Sequence, residues 1–292
     1  MMHDGNLSIG FIGAGRVGVT LGRYFIGKNL TVSGYFSKTY AHACEAAAFT
    51  HSKSCQTMEE LVKSSQVIFI TVPDAGIHEV CLQLKDYELR DKILCHCSGA
   101  LSARVFAELE SKGAYGYSVH PVFAINDKEN SYKEISKACF TVEGNEEKLS
   151  VIRELFVRLG NPVQVISGEN KDKYHASMVM ASNLVIGLYH MSKKLLEECG
   201  FSAASSGEVL NPLFLNNAVS ICEKGCAGAL TGPVDRNDVP TVKKHLAAFA
   251  KTGNAAATEV YLRLSEELLE IAKEKYPDRE YEEMKRALCE NL

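Results

Sequence analysis

The stretch LSIGFIGAGRVGVTLGRYF, residues 7–25, restricts the fold more than any other part of the chain. A short apolar run, LSIGFI, leads without a linker into GAGRVG, and a segment of helical periodicity follows at once. Gly13, Gly15 and Gly18 stand in the spacing G-x-G-x-x-G. Glycines are common in turns, so the spacing alone says little; between a strand pattern and a helix pattern it has a mechanism. The first glycine makes the tight turn, the second lets the backbone approach an anion, and the third lets helix and strand pack closely. The helix start then offers N–H groups and the positive end of its dipole. With Ala14, Arg16 and Val17 between the glycines, residues 13–18 are the expected seat of a dinucleotide pyrophosphate.

The same alternation continues downstream. Apolar runs at 7–12, 30–36, 66–72, 92–97, 114–119, 139–144 and 162–166 read as short strands, and helical patterns lie between most of them, among them 102–113 and 145–160. Strand followed by helix, repeated, means a doubly wound, mostly parallel α/β sheet. After about Ser167 the strands stop, and helices are expected over 168–199, 203–224, 239–250 and 254–275, with a charged tail helix after Pro277. The chain therefore divides into an N-terminal Rossmann domain, 1–166, and an all-α domain for substrate and dimer contacts, 167–292.

The end of the second strand speaks to the nucleotide. An NAD site wants an acid there for the ribose 2′-hydroxyl, yet no acidic residue occurs from Asn29 to Cys44. In its place stand Ser37, Lys38 and Thr39, two hydroxyl donors around a cation suited to a 2′-phosphate. NADP(H) is favoured over NAD(H), with an ordinary polar loop as the other reading. In such a sheet ligands lie beyond the carboxyl ends of the strands. At the end of the third strand stands TVPD, mostly structural: Pro73 cannot continue a ladder and Asp74 can cap the next helix, with Val72 and Pro73 against the cofactor. Ser98 and Gly99 follow the fourth, at the nicotinamide end. His120 ends the fifth before Pro121 turns the chain, as a nicotinamide or substrate contact or as a histidine held by backbone.

The helix KDKYHASMVMASN, 171–183, carries polar groups along one side. At 100° per residue Lys171, His175, Met178 and Ser182 share a stripe about 60° wide, with Asn183 on its flank. A helix leaving the last strand begins at the cleft, so Lys171 and His175 are its candidate general acid/base groups for carbonyl or imine chemistry. Ser182, about 16 Å up the helix, reaches only the far end of a substrate.

Composition excludes several classes. With 292 residues, 46% hydrophobic and 23% charged, the chain has material for two cores, and a net charge of −4 gives no footprint for nucleic acid or an anionic membrane surface. The start lacks a basic segment with a cleavage site, and 177–191 is too interrupted by Ser182, Asn183 and His190 for a bilayer span. Ten scattered cysteines imply a reducing, cytoplasmic setting; in the CHC of 95–97 the histidine points away from both cysteines, so no metal site is expected.

GFIGAGRVG, ITVPD, HCSGAL, SVHP, KDKYHASMVMASN and ALTGPVDRND together resemble a family in which a Rossmann-like domain precedes a helical domain of unknown function, labelled NADP-dependent or deazaflavin-dependent oxidoreductase. The match runs over nearly the whole chain. Its architecture is similar to pyrroline-5-carboxylate reductase and to 6-phosphogluconate and β-hydroxyacid dehydrogenases, which hold substrate between the two domains and commonly dimerise through the second. The resemblance sets Lys171, Tyr174, His175 and Asn183 on the helix and Thr231, Gly232, Pro233, Arg236 and Asp238 in the loop. The β-hydroxyacid enzymes carry asparagine four residues after the helix lysine; here that position is His175, which leaves open whether Lys171 or His175 moves the proton. The resemblance implies NADP-linked redox chemistry on a small carbonyl, hydroxyacid or imine, without a named substrate, and nothing in the residues marks a deazaflavin site.

Arg236 either meets a substrate carboxylate or phosphate or pairs on the surface with Asp235 or Asp238. A nucleotide sensor without turnover is the alternative function. Apolar helices at 178–191 and 209–221 imply a homodimer.

Overall fold

A computed structural model describes residues 7–289. Its contacts divide the chain into one compact unit up to Ser182 and a second from Asn183. The helix that carries Lys171 and His175 therefore packs with the strands that precede it, while the strands themselves end near residue 166.

Among the described residues the first unit holds a seven-stranded sheet in the order β2-β1-β3-β4-β5-β6-β7. The strands are β1 (Ser8–Ile12), β2 (Thr31–Phe36), β3 (Val67–Ile70), β4 (Ile93–His96), β5 (Tyr115–Val122), β6 (Cys139–Gly144) and β7 (Val163–Val165). All neighbours pair in parallel except β5 with β6, so the sheet is mostly parallel, as the alternation of patterns predicts. The helices are α1 (Arg16–Gly27), α2 (Tyr40–Thr50), α3 (Met58–Ser64), α4 (Asp74–Leu84), α5 (Ala107–Glu110), α6 (Leu149–Arg158) and α7 (Lys171–Ala181). β1 lies between β2 and β3, so the chain switches direction across the sheet at the carboxyl ends of β1 and β3. That is where a crevice for a ligand opens.

The continuous apolar runs of β1 and β3 follow from burial on both faces. On one face Phe11, Phe25, Tyr35, Phe69, Phe140 and Phe156 form a chain of ring contacts. On the other, Ile12, Ile68, Ile70 and Leu94 pack against α3, α4 and Phe106. Each such side chain contributes roughly 1.5–3 kcal/mol.

Three local expectations need correction. β5 does not stop at His120: it continues through Pro121, which faces Phe140 of β6. Phe140 sends its own N–H to Pro162 on the far side, so the Pro121 position needs no ladder donor and a proline fits. The helix predicted over 102–113 is a 3-10 turn at Ala103–Phe106 followed by the single turn of α5, because Phe106 is pulled down against Gly116 and His96. The long helix predicted over 168–199 breaks at Ser182, which has non-helical backbone and sends its hydroxyl to the Met178 carbonyl at 2.6 Å.

The second unit is helical: α8 (Asn183–Glu198), α9 (Ala203–Ala229), α10 (Val239–Thr252), α11 (Ala255–Lys275) and α12 (Glu282–Cys289). α9 runs five residues past the expected end, across a non-helical Gly225. Val242, Leu246, Leu262, Leu269 and Met284 form its core. No described helix is long and apolar enough to cross a membrane.

Candidate active site

The glycine turn has the geometry that its three roles require. Gly13 has φ +107°, and a Cβ there would lie 2.9 Å from the backbone of Thr71 and Val72. Gly18 touches the end of β3, with the Thr71 hydroxyl 2.4 Å from where its Cβ would be. That hydroxyl donates to the Gly13 carbonyl at 2.9 Å, locking turn to strand. At Gly15 a Cβ would meet nothing closer than 3.9 Å: the space is open and faces the groove. Gly15 is the N-cap of α1 with no side chain capping it, and the first turn of α1 has no acid. The leading amides thus remain available to an anion.

From this turn a groove of about 990 Å³ extends along the carboxyl ends of β1 and β2, lined by Gly13, Ala14, Gly15, Arg16, Ser37, Lys38, Thr39, Val72 and Pro73. Ser37 is half-buried while Lys38 and Thr39 are exposed. A second hollow of about 400 Å³ shares Gly15, Arg16, Val72 and Pro73, adds Val17, and ends at Asp74, Cys97 and Ser98. Every cofactor candidate read from the sequence except Gly18 lines one or both, and Gly18 lies beneath them as packing. Leading helix amides at one place and hydroxyls with a lysine at another give this groove the donor set that a dinucleotide needs.

At the far end, polar side chains from five elements converge. Ser98 donates to Asp74 at 2.7 Å and accepts from the amides of Ala100 and Leu101, so its hydroxyl is committed to shaping the turn. His96 lies beneath that turn, fully buried. Its Nδ1 accepts from the Ser98 amide at 3.2 Å, so Nε2 carries the hydrogen toward the Ser102 carbonyl. Burial lowers its pKa to about 4 and keeps it neutral.

Lys171 is only 2% exposed. Its ammonium donates to the Ser118 hydroxyl at 2.5 Å, and Ser118 in turn donates to the Ser98 carbonyl at 3.3 Å. Burial lowers the Lys171 pKa, with Glu143 the largest opposing influence. Glu143 is itself buried on β6, raised by desolvation and held by the Ala103 amide at 2.9 Å. Tyr174, one turn along α7, meets His120 Nδ1 at 2.7 Å, and the Lys171 ammonium lies 5.4 Å from its ring. Burial first, and the charges of Lys171 and His175 second, bring His120 down to about 4. A neutral His120 that accepts the Tyr174 hydroxyl at Nδ1 presents Nε2–H as a donor. That Nε2 and the His175 ring flank Gly99, at 3.0 and 2.9 Å from where a Cβ would stand. Any side chain at position 99 would displace one or both imidazoles.

Of the two groups expected to exchange a proton, His175 is half-buried at the Gly99 face and Lys171 lies underneath it. His120 is held by a tyrosine rather than by backbone. Ser182 and Asn183 end one unit and begin the other, and Ser182 is exposed. Arg236 is exposed in the second unit. The neighbouring acids have other duties: Asp235 pairs with Lys275 at 2.9 Å, and Asp238 caps α10 through Thr241. Sequence reasoning passed over Asp74 as a helix cap and missed Ser118 and Glu143. A carboxylate in the apolar run CFTVEG was a usable signal, since a buried strand glutamate needs partners. Among the described residues no cluster of His, Cys, Asp and Glu could hold a metal ion.

A family model described as a Rossmann-like domain matches residues 1–121, and one described as a domain of unknown function, DUF2520, matches residues 138–268. No curated protein matches the chain. Among solved structures, a protein from Thermotoga maritima is 26% identical with a TM-score of 0.75, over 91% of this chain and 99% of that one. A reductive aminase from Aspergillus terreus, in complex with NADPH and ethyl-5-oxohexanoate, is 14% identical with a TM-score of 0.64, over 98% and 99%. A pyrroline-5-carboxylate reductase from Coxiella burnetii is 14% identical with a TM-score of 0.59, over 93% and 99%. At that identity the two enzymes share the fold with this chain.

Proposed function

We propose, for a chain that belongs to the family joining a Rossmann-like domain to a DUF2520 domain, that it is an NADP(H)-dependent oxidoreductase acting on a small carbonyl, hydroxyacid or imine. The observation that carries this reading is continuity. The groove that begins at a turn built for pyrophosphate runs into a hollow ending at Ser98, beside two imidazoles aimed at Gly99. The similar folds of a reductive aminase bound to NADPH and of a pyrroline-5-carboxylate reductase support it.

The turn 13–18 would hold the pyrophosphate, Ser37, Lys38 and Thr39 would hold the 2′-phosphate, and Val72 and Pro73 would pack beside the cofactor, whose nicotinamide would supply or accept the hydride. His120 Nε2–H orients the substrate heteroatom, and the Tyr174 hydroxyl at Nδ1 fixes the tautomer that keeps the hydrogen on Nε2. His175 exchanges the proton with that heteroatom. Lys171 acts from below: through Ser118 it fixes the Ser98 carbonyl, and its charge helps keep His120 neutral. The exposed apolar faces of α8 and α9 support a homodimer formed through the helical unit.

The test is a fluorescence titration with NADPH and NADH on the wild type and on Lys38→Ala, followed by a screen of carbonyl and imine substrates against His175→Asn. Tight NADPH binding that Lys38→Ala weakens, with turnover that His175→Asn removes, is the expected result. Absence of binding of either nucleotide would sink the reading.

A further inference from the structure

The connection between β5 and β6 crosses the cofactor groove. Ile125 lines the hollow that ends at Ser98, and three residues on, Lys128 lines the larger groove beside Glu45 of α2. The crossing is built rather than loose. Asp127 accepts from the amides of Glu129 and Asn130 at 2.8 and 3.1 Å and from the Asn130 side chain at 2.9 Å, and its own amide reaches Ser131. Tyr132 then anchors the segment on α1 and α2: its ring lies 6.0 Å edge-on from Phe49, and Arg23 sits 5.6 Å from both rings. The turn and the anchor together hold Lys128 over the groove.

The Lys128 ammonium lies 3.6 Å from the Glu45 carboxylate, which also lines the groove. Glu45 is the first acid after β2, nine residues beyond the strand end where an NAD site carries its ribose acceptor. Here it sits in the second turn of α2 and is neutralised by a cation from a distant loop. The two side chains are 36% and 65% exposed, so the pair contributes little and is readily exchanged. A phosphate dianion in the same groove is a stronger partner for an ammonium than a solvated carboxylate. α2 follows directly from Ser37, Lys38 and Thr39, so Lys128 approaches the 2′-phosphate end of the groove rather than the pyrophosphate seat at α1.

Resting on the NADP reading above, we propose that Lys128 is a second cationic contact for the cofactor's 2′-phosphate, delivered across the groove by the β5–β6 connection and held by Glu45 until the phosphate displaces it. Arginine or lysine contacts from one side of a phosphate leave the other open; Lys38 and Lys128 enclose it from two elements far apart in sequence.

The test is calorimetric titration of NADPH and NADH into the full-length wild type, Lys128→Met and Glu45→Gln, with thermal unfolding as the folding control. Lys128→Met is expected to weaken NADPH roughly tenfold, the loss of one charge-assisted hydrogen bond, and to leave NADH within about twofold. Glu45→Gln, which removes the competitor, should tighten NADPH and leave NADH unchanged. Equal weakening of both nucleotides would move the contact to the pyrophosphate and overturn the proposal. NADPH binding that neither variant alters would overturn it while the cofactor reading stands. A wild type that binds neither nucleotide overturns both.

Discussion

His96 connects the core to the chemistry through its protonation state. Folded, its pKa is about 4; unfolded, it returns to 6.5. Below pH 6.5 the unfolded chain therefore binds a proton that the folded chain refuses, so stability falls as pH drops from 6.5 to 4 and the loss is complete below 4. At about 1.4 kcal/mol per unit the full effect is about 3 kcal/mol, and His120 acts in the same direction over the same window. Urea unfolding at pH 7 and pH 4.5 should show that His96→Gln, a neutral group able to bond both Ser98 and Ser102, loses about 2 kcal/mol less stability across that interval than the wild type. Equal losses would mean that the histidine is not held neutral. Lys171 and Glu143 show the same economy of burial: each is tolerated because the other's charge and a hydrogen bond, to Ser118 or from Ala103, oppose its desolvation.

The turn between β1 and α1 is where element geometry can be tested one glycine at a time. Gly13→Ala places a methyl against the Thr71–Val72 backbone in a left-handed conformation, and Gly18→Ala drives one into the Thr71 hydroxyl and the Gly13 carbonyl. Each should cost about 2 kcal/mol or more. Gly15 has φ −81° and open space ahead of it, so Gly15→Ala should cost less than about 1 kcal/mol. All three should lose nucleotide affinity. Melting temperatures beside nucleotide titrations separate the cases, and a Gly15→Ala variant that still binds NADPH normally would remove the pyrophosphate from this turn. Glycine spacing was legible in the sequence because each role depends on the absence of a side chain. The break at Ser182 was not, because Met178, Ser182 and their neighbours keep helical periodicity straight through it, and a hydroxyl bonded to the Met178 carbonyl leaves no pattern.

Across the whole molecule, scattered exposed apolar residues are ordinary, but those on α8 and α9 are not scattered. Leu184, Ile186 and Leu188, with Val209, Leu213, Phe214, Leu215, Val219 and Ile221, are each at least 40% exposed. Sedimentation should give a mass of twice the 32.0 kDa chain, and Leu213→Lys should shift it toward the monomer without lowering helicity. A wild-type monomer at micromolar concentration would remove the dimer. By itself the sequence determined the strand–helix alternation, the glycine turn, the missing acid after β2 and the all-helical second half, because hydrophobic period and residue chemistry are local properties. It could not say that Lys171 lies under the site and His175 at its face. Nor could it show that Ser118 and Glu143 hold that lysine, or that Lys128 reaches Glu45 across the groove. Those pairings join residues 28 to 83 positions apart, and only the packing of strands, α7 and the β5–β6 connection around one sheet brings such charges and hydroxyls together at distances where burial and hydrogen bonding set their roles.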